Sequence, residues 1–174
     1  MIEEKAKKIK LLILDVDGVL TDGRIVYDNF NNEMKFFNVH DGFGMALLYR
    51  AGIKSAIITA RGSGAVKRRA KDMHVAKVYS GHKKLEIYES AIKKFMMKDD
   101  EVCFMGDDLI DLPVLKRVGL SIAPPEAAEE VKRACHYITK KGGGKGAVRE
   151  VAEIILKSQG LWDKAIKEYT GDPA

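Results

Sequence analysis

Two carboxylates follow a hydrophobic run near the start of the chain. In LLILDVDGVLTDG, residues 11–23, an aliphatic segment leads directly into Asp15 and Asp17. A buried charge is costly unless it is paired or binds a metal ion. A strand that ends in two acidic residues therefore predicts a site where carboxylates take part in binding or catalysis.

Further polar groups follow other apolar runs. Thr59 ends SAIIT and Lys84 opens KLEIYE. The acidic residues Asp107, Asp108 and Asp111 follow the run VCFM. A carboxylate can attack phosphorus to form an acyl phosphate, and a second carboxylate can protonate the leaving oxygen and then activate water. A lysine and a threonine hydroxyl would neutralise and hold phosphoryl oxygens. Together, these residue types indicate phosphoryl transfer.

The same carboxylates predict a bound cation. Like charges about 4 Å apart repel by about 4 kcal/mol at an effective dielectric of about 20, so an anionic phosphate needs added positive charge to approach. Ligand sets made of oxygen atoms favour Mg²⁺. The sequence therefore predicts a magnesium-dependent site.

Short apolar runs alternate with longer segments of helical period. The runs that predict strands are residues 11–16, 55–59, 77–80, 102–106, 120–123 and 136–139. The segments that predict helices are residues 41–52, 63–74, 84–97, 108–119, 125–134 and 146–160. This alternation predicts an α/β fold, a Rossmann-like three-layer sandwich with a mainly parallel sheet covered on both faces. Ligands of such sheets bind outside the carboxyl ends of the strands, where we expect the polar groups to converge.

The chain is expected to form a single domain over residues 1–174 with two additions. Residues 24–38 hold two β-rich runs around a turn and predict a projecting hairpin, which is too short to be a separate cap domain. Residues 161–174 predict a short helix and a loose tail. Asp41 and Ser63 are expected to be the N-caps of the helices that they begin.

Composition argues against several other classes. The net charge of +5 is mild, and no apolar run approaches the ~18 residues of a membrane span. The basic stretch 67–71 has no interleaved aromatic residues, which argues against nucleic-acid binding. The start of the chain lacks a signal peptide's apolar core, and Cys103 and Cys135 form no disulfide framework, so we expect a cytoplasmic location. The stretch KGGGKG, residues 141–146, does not match a P-loop and predicts a flexible lead-in to a helix.

Four stretches resemble the motifs of the haloacid dehalogenase-like phosphatases: DVDGVLTDG, ITAR, GHKKLEIYE and MGDDLIDLPVL. The form DxDGVxTDG, the hairpin after it and the ending KGGGKGAVREV are similar to one branch, the 3-deoxy-D-manno-octulosonate (KDO) 8-phosphate phosphatases. The resemblance covers nearly the whole chain. It implies Mg²⁺-dependent hydrolysis of KDO 8-phosphate to KDO and phosphate through an aspartyl-phosphate intermediate, in lipopolysaccharide precursor synthesis.

The resemblance also implies roles for the site residues. Asp15 would be the nucleophile. Asp17 would be the general acid and then the base, with its main-chain carbonyl on the metal ion. Thr59 would bind the phosphoryl group, and Lys84 would bridge the nucleophile and the phosphate. Asp107 would be a direct metal ligand together with Asp15.

Some of these roles have alternatives. Many family members place the lysine four residues after a glycine such as Gly81, whereas Lys84 comes three residues after it, so Lys83 stays a second candidate. Asp108 and Asp111 would orient metal-bound waters or the lysine. Asp108 could equally cap the following helix, whereas a helix would place Asp111 on the same side as the other acidic residues.

Substrate choice is expected to depend on Arg61 and Gly62, which follow the threonine at the mouth of the site. An arginine there can bind a sugar carboxylate through two hydrogen bonds. A related branch that acts on nine-carbon KDN 9-phosphate tends to have an acidic residue at the Arg61 position. Arg61 therefore favours the eight-carbon substrate, with KDN 9-phosphate as the alternative. The 142–146 loop and Arg149 could help to enclose the sugar.

The resemblance implies a homotetramer with the hairpins packed at its centre, where Ile25, Tyr27, Met34 and Phe36 could form the interface. Two other classes of function would use part of this pattern. A non-enzymatic phosphoacceptor module would not need Asp17 two residues after the acceptor. A catalytically idle oligomerisation subunit would not need every catalytic position to be filled.

Overall fold

A six-stranded parallel sheet forms the centre of the computed structural model, which describes residues 1–170. The strand order is β5-β4-β1-β6-β7-β8. The bounds of these strands are β1 Leu11–Leu14, β4 Lys54–Thr59, β5 Lys77–Ser80, β6 Val102–Met105, β7 Leu120–Ala123 and β8 Tyr137–Ile138. Two further strands, β2 Val26–Tyr27 and β3 Glu33–Met34, form a separate antiparallel pair, which is the expected hairpin.

Helices cover both faces of the sheet. Their bounds are α1 Ile2–Ala6, α2 Val39–Arg50, α3 Gly64–Asp72, α4 Lys84–Phe95, α5 Leu112–Leu115, α6 Glu129–Ala134, α7 Ala147–Ser158 and α8 Trp162–Thr170. Side chains alternate along β1, so that Leu12 and Leu14 join one buried cluster and Leu11 and Ile13 join the other. The Rossmann-like three-layer sandwich is confirmed.

The segment after β6 is not the single helix expected over residues 108–119. A 3₁₀ turn, Leu109–Asp111, precedes the short helix α5. Pro113 lies near the start of that helix. A proline ring lacks an N–H donor and clashes with the carbonyl four residues earlier, so a continuous α-helix through this position is disfavoured.

The expected cap at Asp41 is wrong, because α2 begins earlier. Asn38 is its N-cap, and its side chain accepts a hydrogen bond from the amide of His40 at 2.8 Å. Asp41 is buried and accepts instead from the amides of Gly146 and Arg149 at the start of α7. Burial raises the pKa of Asp41 above its ordinary value. The carboxylate of one helix thus caps another, whose own N-cap is a glycine without a side chain. By contrast, Ser63 caps α3 as expected.

The glycine-rich segment before α7 is packed rather than loose. Gly142 and Gly143 are buried, and the amide of Gly144 donates to the carbonyl of Val19 at 3.0 Å. A Cβ at Gly143 would lie 1.8 Å from the carbonyl oxygen of Gly18. Only a residue without a side chain allows the two backbones to approach this closely.

The C-terminal helix α8 packs on α2 through an edge-to-face contact between Phe43 and Tyr169, so a short helix over part of residues 161–174 is present. The last four residues of the expected tail, 171–174, lie outside the described part of the chain. Within residues 1–170, no helix is long and apolar enough to cross a membrane.

Candidate active site

Strand register brings the polar groups to one edge of the sheet. Leu14 of the central strand β1 is paired with Ile57 of β4 on one side and with Met105 of β6 on the other. Thr59 and Asp107 each lie two residues beyond those partners. They therefore flank the segment that holds Asp15 and Asp17, at the carboxyl end of three adjacent strands.

A buried lysine joins two carboxylates at the centre of the site. Nζ of Lys84 lies 3.0 Å from Oδ1 of Asp15 and 2.6 Å from Oδ1 of Asp111. Burial alone would lower the pKa of Lys84, but the negative charges of Asp15 and Asp111 outweigh it and raise that pKa above its ordinary value. Burial, followed by repulsion from Asp111, raises the pKa of Asp15 to about 6 against the attraction of Lys84. The ammonium group therefore holds the Asp15 carboxylate in a poorly solvated position.

The structure separates the two lysine candidates. Lys84 is the first residue of α4 and is buried beside Asp15. Lys83 is exposed, and its ammonium group lies 3.0 Å from Oε1 of Glu86. The lysine three residues after Gly81 is the one that enters the site.

Asp111 organises the loop after β6. Its Oδ2 accepts hydrogen bonds from the amides of Asp107 and Asp108 at 3.1 and 3.4 Å, while Oδ1 contacts Lys84. Asp108 is exposed, and its side chain accepts from the amide of Leu109 at 2.7 Å. Asp108 thus caps the 3₁₀ turn, whereas Asp111 is buried and ties that turn to the lysine.

The carboxylates form a site that fits a hard cation. One oxygen each from Asp15, Asp107 and Asp111 lies within 4.8 Å of the others. Burial raises the pKa of Asp107 to about 7, with further contributions from repulsion by Asp15 and Asp111. A Cβ at Gly18 would lie 2.0 Å from Oδ2 of Asp107, so the glycine leaves room for that carboxylate. An all-oxygen donor set of this charge suits Mg²⁺.

Thr59 and the residues after it form the mouth of the site. Thr59 is buried, and its hydroxyl accepts a hydrogen bond from the amide of Arg61 at 3.2 Å. Gly62 is exposed and lies against Ser80, whose Oγ would be 2.3 Å from an added Cβ. The loop therefore places Arg61 beside the opening.

The hairpin contributes charged residues that sequence reasoning missed. Nζ of Lys35 lies 2.5 Å from Oδ1 of Asp17 and 2.8 Å from Oε1 of Glu33. A guanidinium nitrogen of Arg61 lies 3.2 Å from Oε2 of Glu33 and 3.2 Å from the hydroxyl of Tyr27. Burial would lower the pKa of Lys35, but hydrogen bonds to Asp17 and Glu33 raise it overall. Two acids and two bases thus form a network between the hairpin and the site.

Alternation along the hairpin was the signal that could have revealed this network. Glu33 and Lys35 face the site, whereas Met34 and Phe36 between and after them are 43% and 61% exposed. Side chains two residues apart on a strand share a face. The charged pair in NEMKFF therefore belongs to the inner face, and the apolar pair belongs to the outer face.

Comparison with known proteins adds independent observations. A sequence model of the haloacid dehalogenase-like hydrolases matches residues 69–151. The chain is 42% identical over 162 residues to the 3-deoxy-D-manno-octulosonate 8-phosphate phosphatase KdsC of Escherichia coli strain K12. The aligned region covers 92% of this chain and 86% of that relative.

Solved structures agree with this comparison. The crystal structure of 3-deoxy-D-manno-octulosonate 8-phosphate phosphatase from Moraxella catarrhalis, in complex with magnesium, phosphate and KDO, matches with a TM-score of 0.94 and 42% identity over 97% of each chain. The cobalt-bound deoxy-D-mannose-octulosonate 8-phosphate phosphatase from Haemophilus influenzae matches with a TM-score of 0.86 and 36% identity, over 90% of this chain and 92% of that one.

Proposed function

The chain belongs to the haloacid dehalogenase-like hydrolases, in the branch of the KDO 8-phosphate phosphatases, and from this premise we propose that it hydrolyses KDO 8-phosphate to KDO and phosphate in lipopolysaccharide precursor synthesis. The observation that carries the proposal is the buried contact of Asp15, Lys84 and Asp111 beside Asp107, at the carboxyl end of the sheet. The chain thus combines the fold and the charged centre of a phosphoric monoester hydrolase.

Mg²⁺ would be held by carboxylate oxygens of Asp15 and Asp107 and by the main-chain carbonyl of Asp17. Both oxygens of Asp111 already contact Lys84 and backbone amides, so Asp111 orients its neighbours rather than serving as a primary ligand. When bound, the ion supplies positive charge that offsets repulsion between the phosphate and the carboxylates.

Hydrolysis would proceed in two half-reactions. In the first, an oxygen of Asp15 bonds to phosphorus as the bond to the sugar oxygen breaks, and Asp17 gives its proton to that leaving oxygen. In the second, Asp17 takes a proton from water, the water oxygen bonds to phosphorus, and the bond to Asp15 breaks. Thr59 and Lys84 would hold the phosphoryl oxygens in both steps.

Arg61 would bind the carboxylate of the sugar acid. It lies at the mouth with its side chain 42% exposed, so part of the guanidinium faces solvent. Glu33 and Tyr27 contact one of its terminal nitrogens. A planar guanidinium can bind a carboxylate through a second pair of N–H groups. Glu33 would therefore orient Arg61 towards an incoming carboxylate.

The experiment that tests the function is phosphate release with Mg²⁺ from KDO 8-phosphate, KDN 9-phosphate, a hexose 6-phosphate and 4-nitrophenyl phosphate. We expect a strong preference for the eight-carbon substrate, which is lost in Arg61→Glu and absent in Asp15→Asn. Equal rates for all four substrates would contradict the proposed substrate but not the phosphatase chemistry. An absence of release from every substrate would contradict both.

We also propose that the protein is a homotetramer assembled through the outer face of the hairpin. Phe36 and Met34 are 61% and 43% exposed there. Tyr27, which was also expected at this interface, lies opposite Glu33 on the inner face, where its hydroxyl contacts Arg61. Light scattering after gel filtration should give four times the chain mass, and Phe36→Glu should lower it. Met96→Glu, which changes an 86% exposed methionine at the end of α4, is the matched control. A wild-type monomer would contradict this assembly.

The proposed location is the cytoplasm. Its support is that Cys103 and Cys135 are both free, and free thiols persist in reducing compartments. Fractionation of cells that express the full chain should recover phosphatase activity with cytoplasmic markers. Recovery with periplasmic markers would contradict this location.

A further inference from the structure

Lys35 has an unusual position for a lysine on a short hairpin. Its side chain is 1% accessible, although no residue of the hairpin strands β2 and β3 is buried. Its ammonium group lies 2.5 Å from Asp17 and 2.8 Å from Glu33. A desolvated ammonium group is retained only where anions compensate its charge. The hairpin therefore directs this lysine at the carboxylate proposed to act as general acid and base.

Other contacts to the Asp17 carboxylate in the described residues are weaker. Nε of Arg61 lies 4.0 Å from its second oxygen, at the limit of an ion pair. That arginine is 42% exposed and already donates to Glu33. Without Lys35, the Asp17 side chain would keep one long contact to a partly exposed group. Lys35 is thus the close partner that restricts the rotamer of Asp17.

We propose that Lys35 is a positioning residue for proton transfer: it holds the Asp17 side chain where its carboxyl group can protonate the leaving oxygen and where the resulting carboxylate can then accept a proton from water. The inference rests on the proposed function and adds to it. A carboxylate two residues after the nucleophile must reach the leaving oxygen on the far side of phosphorus, so its orientation matters as much as its presence. The inner face of the hairpin supplies that orientation.

The test uses leaving groups that differ in their need for a proton. Phenyl phosphate and 4-nitrophenyl phosphate are similar in shape, but phenolate is the stronger base and depends more on general acid catalysis. In the full-length protein with Mg²⁺, Lys35→Met should lower kcat/KM for phenyl phosphate by at least about tenfold more than for 4-nitrophenyl phosphate. Equal losses for the two substrates, or no loss, would overturn the proposal.

A double-mutant cycle separates positioning from a general structural effect. If Lys35 acts through Asp17, then Lys35→Met should change kcat/KM by less than about twofold when Asp17 is already asparagine. A loss that persists in full in the Asp17→Asn background would overturn the proposal. Lys10→Met, which removes a surface lysine paired with Glu101 at 2.7 Å, is the matched control and should leave both substrates unaffected.

Calorimetric titration of Lys35→Met with Mg²⁺ provides a readout that does not depend on turnover. The affinity should stay within about twofold of the wild type, because Lys35 contacts a side chain and no proposed ligand atom. Loss of Mg²⁺ binding would overturn a positioning role. The aryl phosphates also separate this inference from the proposed substrate. If the wild-type enzyme hydrolyses them but not KDO 8-phosphate, only the proposed substrate is contradicted. A wild type that hydrolyses no phosphate monoester overturns both.

Discussion

The ammonium nitrogen of Lys84 lies 2.6 Å from Oδ1 of Asp111, and both side chains are inaccessible to solvent, although 27 residues separate them. The second oxygen of Asp111 accepts from two backbone amides of the loop after β6. One carboxylate therefore fixes both the lysine that faces Asp15 and the loop that carries Asp107. Asp111 connects the two halves of the charged site.

Replacing Asp111 with asparagine should therefore weaken both connections. Both oxygens of Asp111 accept hydrogen bonds, whereas an amide has only one acceptor oxygen. The NH₂ group of asparagine would therefore face a donor, either the ammonium group or the backbone amides. We expect the free energy of unfolding to fall by about 1–3 kcal/mol, together with a lower kcat. Urea denaturation measures the change in the free energy of unfolding. Asp72→Asn, on the exposed end of α3, is the control and should change stability by less than about 0.5 kcal/mol.

Asp15→Asn should abolish turnover without unfolding the protein. The amide is close in shape to the carboxylate but cannot form the acyl phosphate, so kcat should fall by about 10³-fold or more. Burial and the charge of Asp111 both disfavour a negative charge on Asp15. The substitution removes that charge, so it should not destabilise the fold. Melting of the metal-free variant should occur at or above the wild-type temperature. Turnover within tenfold of the wild type would exclude Asp15 as the nucleophile.

Mg²⁺ binding should be linked to protons near neutral pH. The pKa of Asp107 is raised to about 7 in the absence of metal, and that of Asp15 to about 6. A cation must displace these protons, so its affinity should fall as the pH drops from about 8 to 6. Calorimetry in buffers of different ionisation enthalpy should detect proton release at pH 6.5. A pH-independent affinity across this range would contradict the raised pKa values.

The same pKa values predict how the stability of the metal-free protein depends on pH. Unfolded aspartates titrate near pH 3.9, so between about pH 4 and 7 the folded state binds more protons at Asp15 and Asp107 than the unfolded state does. Their contribution makes the free energy of unfolding fall as the pH rises through this window. Melts with EDTA should show this slope, and Asp107→Asn should reduce it. An unchanged slope in that variant would exclude Asp107 as its source.

Gly143→Ala tests the packing of the glycine-rich segment against the loop after β1. The added Cβ would lie 1.8 Å from the carbonyl oxygen of Gly18, so one backbone must move. We expect a loss of about 1–3 kcal/mol of stability and a lower kcat, because Gly18 lies against Asp107. Gly64→Ala is the matched control. It has no neighbouring atom within 4 Å, lies in α3, and should be neutral or stabilising by about 0.4–1 kcal/mol. Equal effects of the two substitutions would contradict this view of the loop.

Much of the fold and the central site could be predicted from the sequence. The parallel sheet could be predicted because short apolar runs alternate with segments of helical period. A strand that is buried on both faces of a sheet reads as a continuous apolar run, which is a local pattern. In a parallel sheet, residues after neighbouring strands meet at one edge. The convergence of Asp15, Thr59 and Asp107 followed from that rule, and the register of β1 with β4 and β6 bears it out.

Contacts between distant segments could not be predicted in this way. Lys83 and Lys84 are adjacent in sequence, and only the start of α4 beside Asp111 decides which of them is buried. Asp41 matches the pattern of a local cap, yet packing of α2 against α7 directs it to another helix.

The sequence alone was therefore sufficient to predict which polar groups lie at the strand ends, because residue types and their spacing follow the strand pattern. The tertiary structure decided which partners those groups contact. Lys35 reaches Asp17 across 18 residues, and Asn38 reaches Gly144 across 106. Such pairs leave no periodic signal in the chain, because their distances are set by strand order and by how the hairpin and helices pack on the sheet.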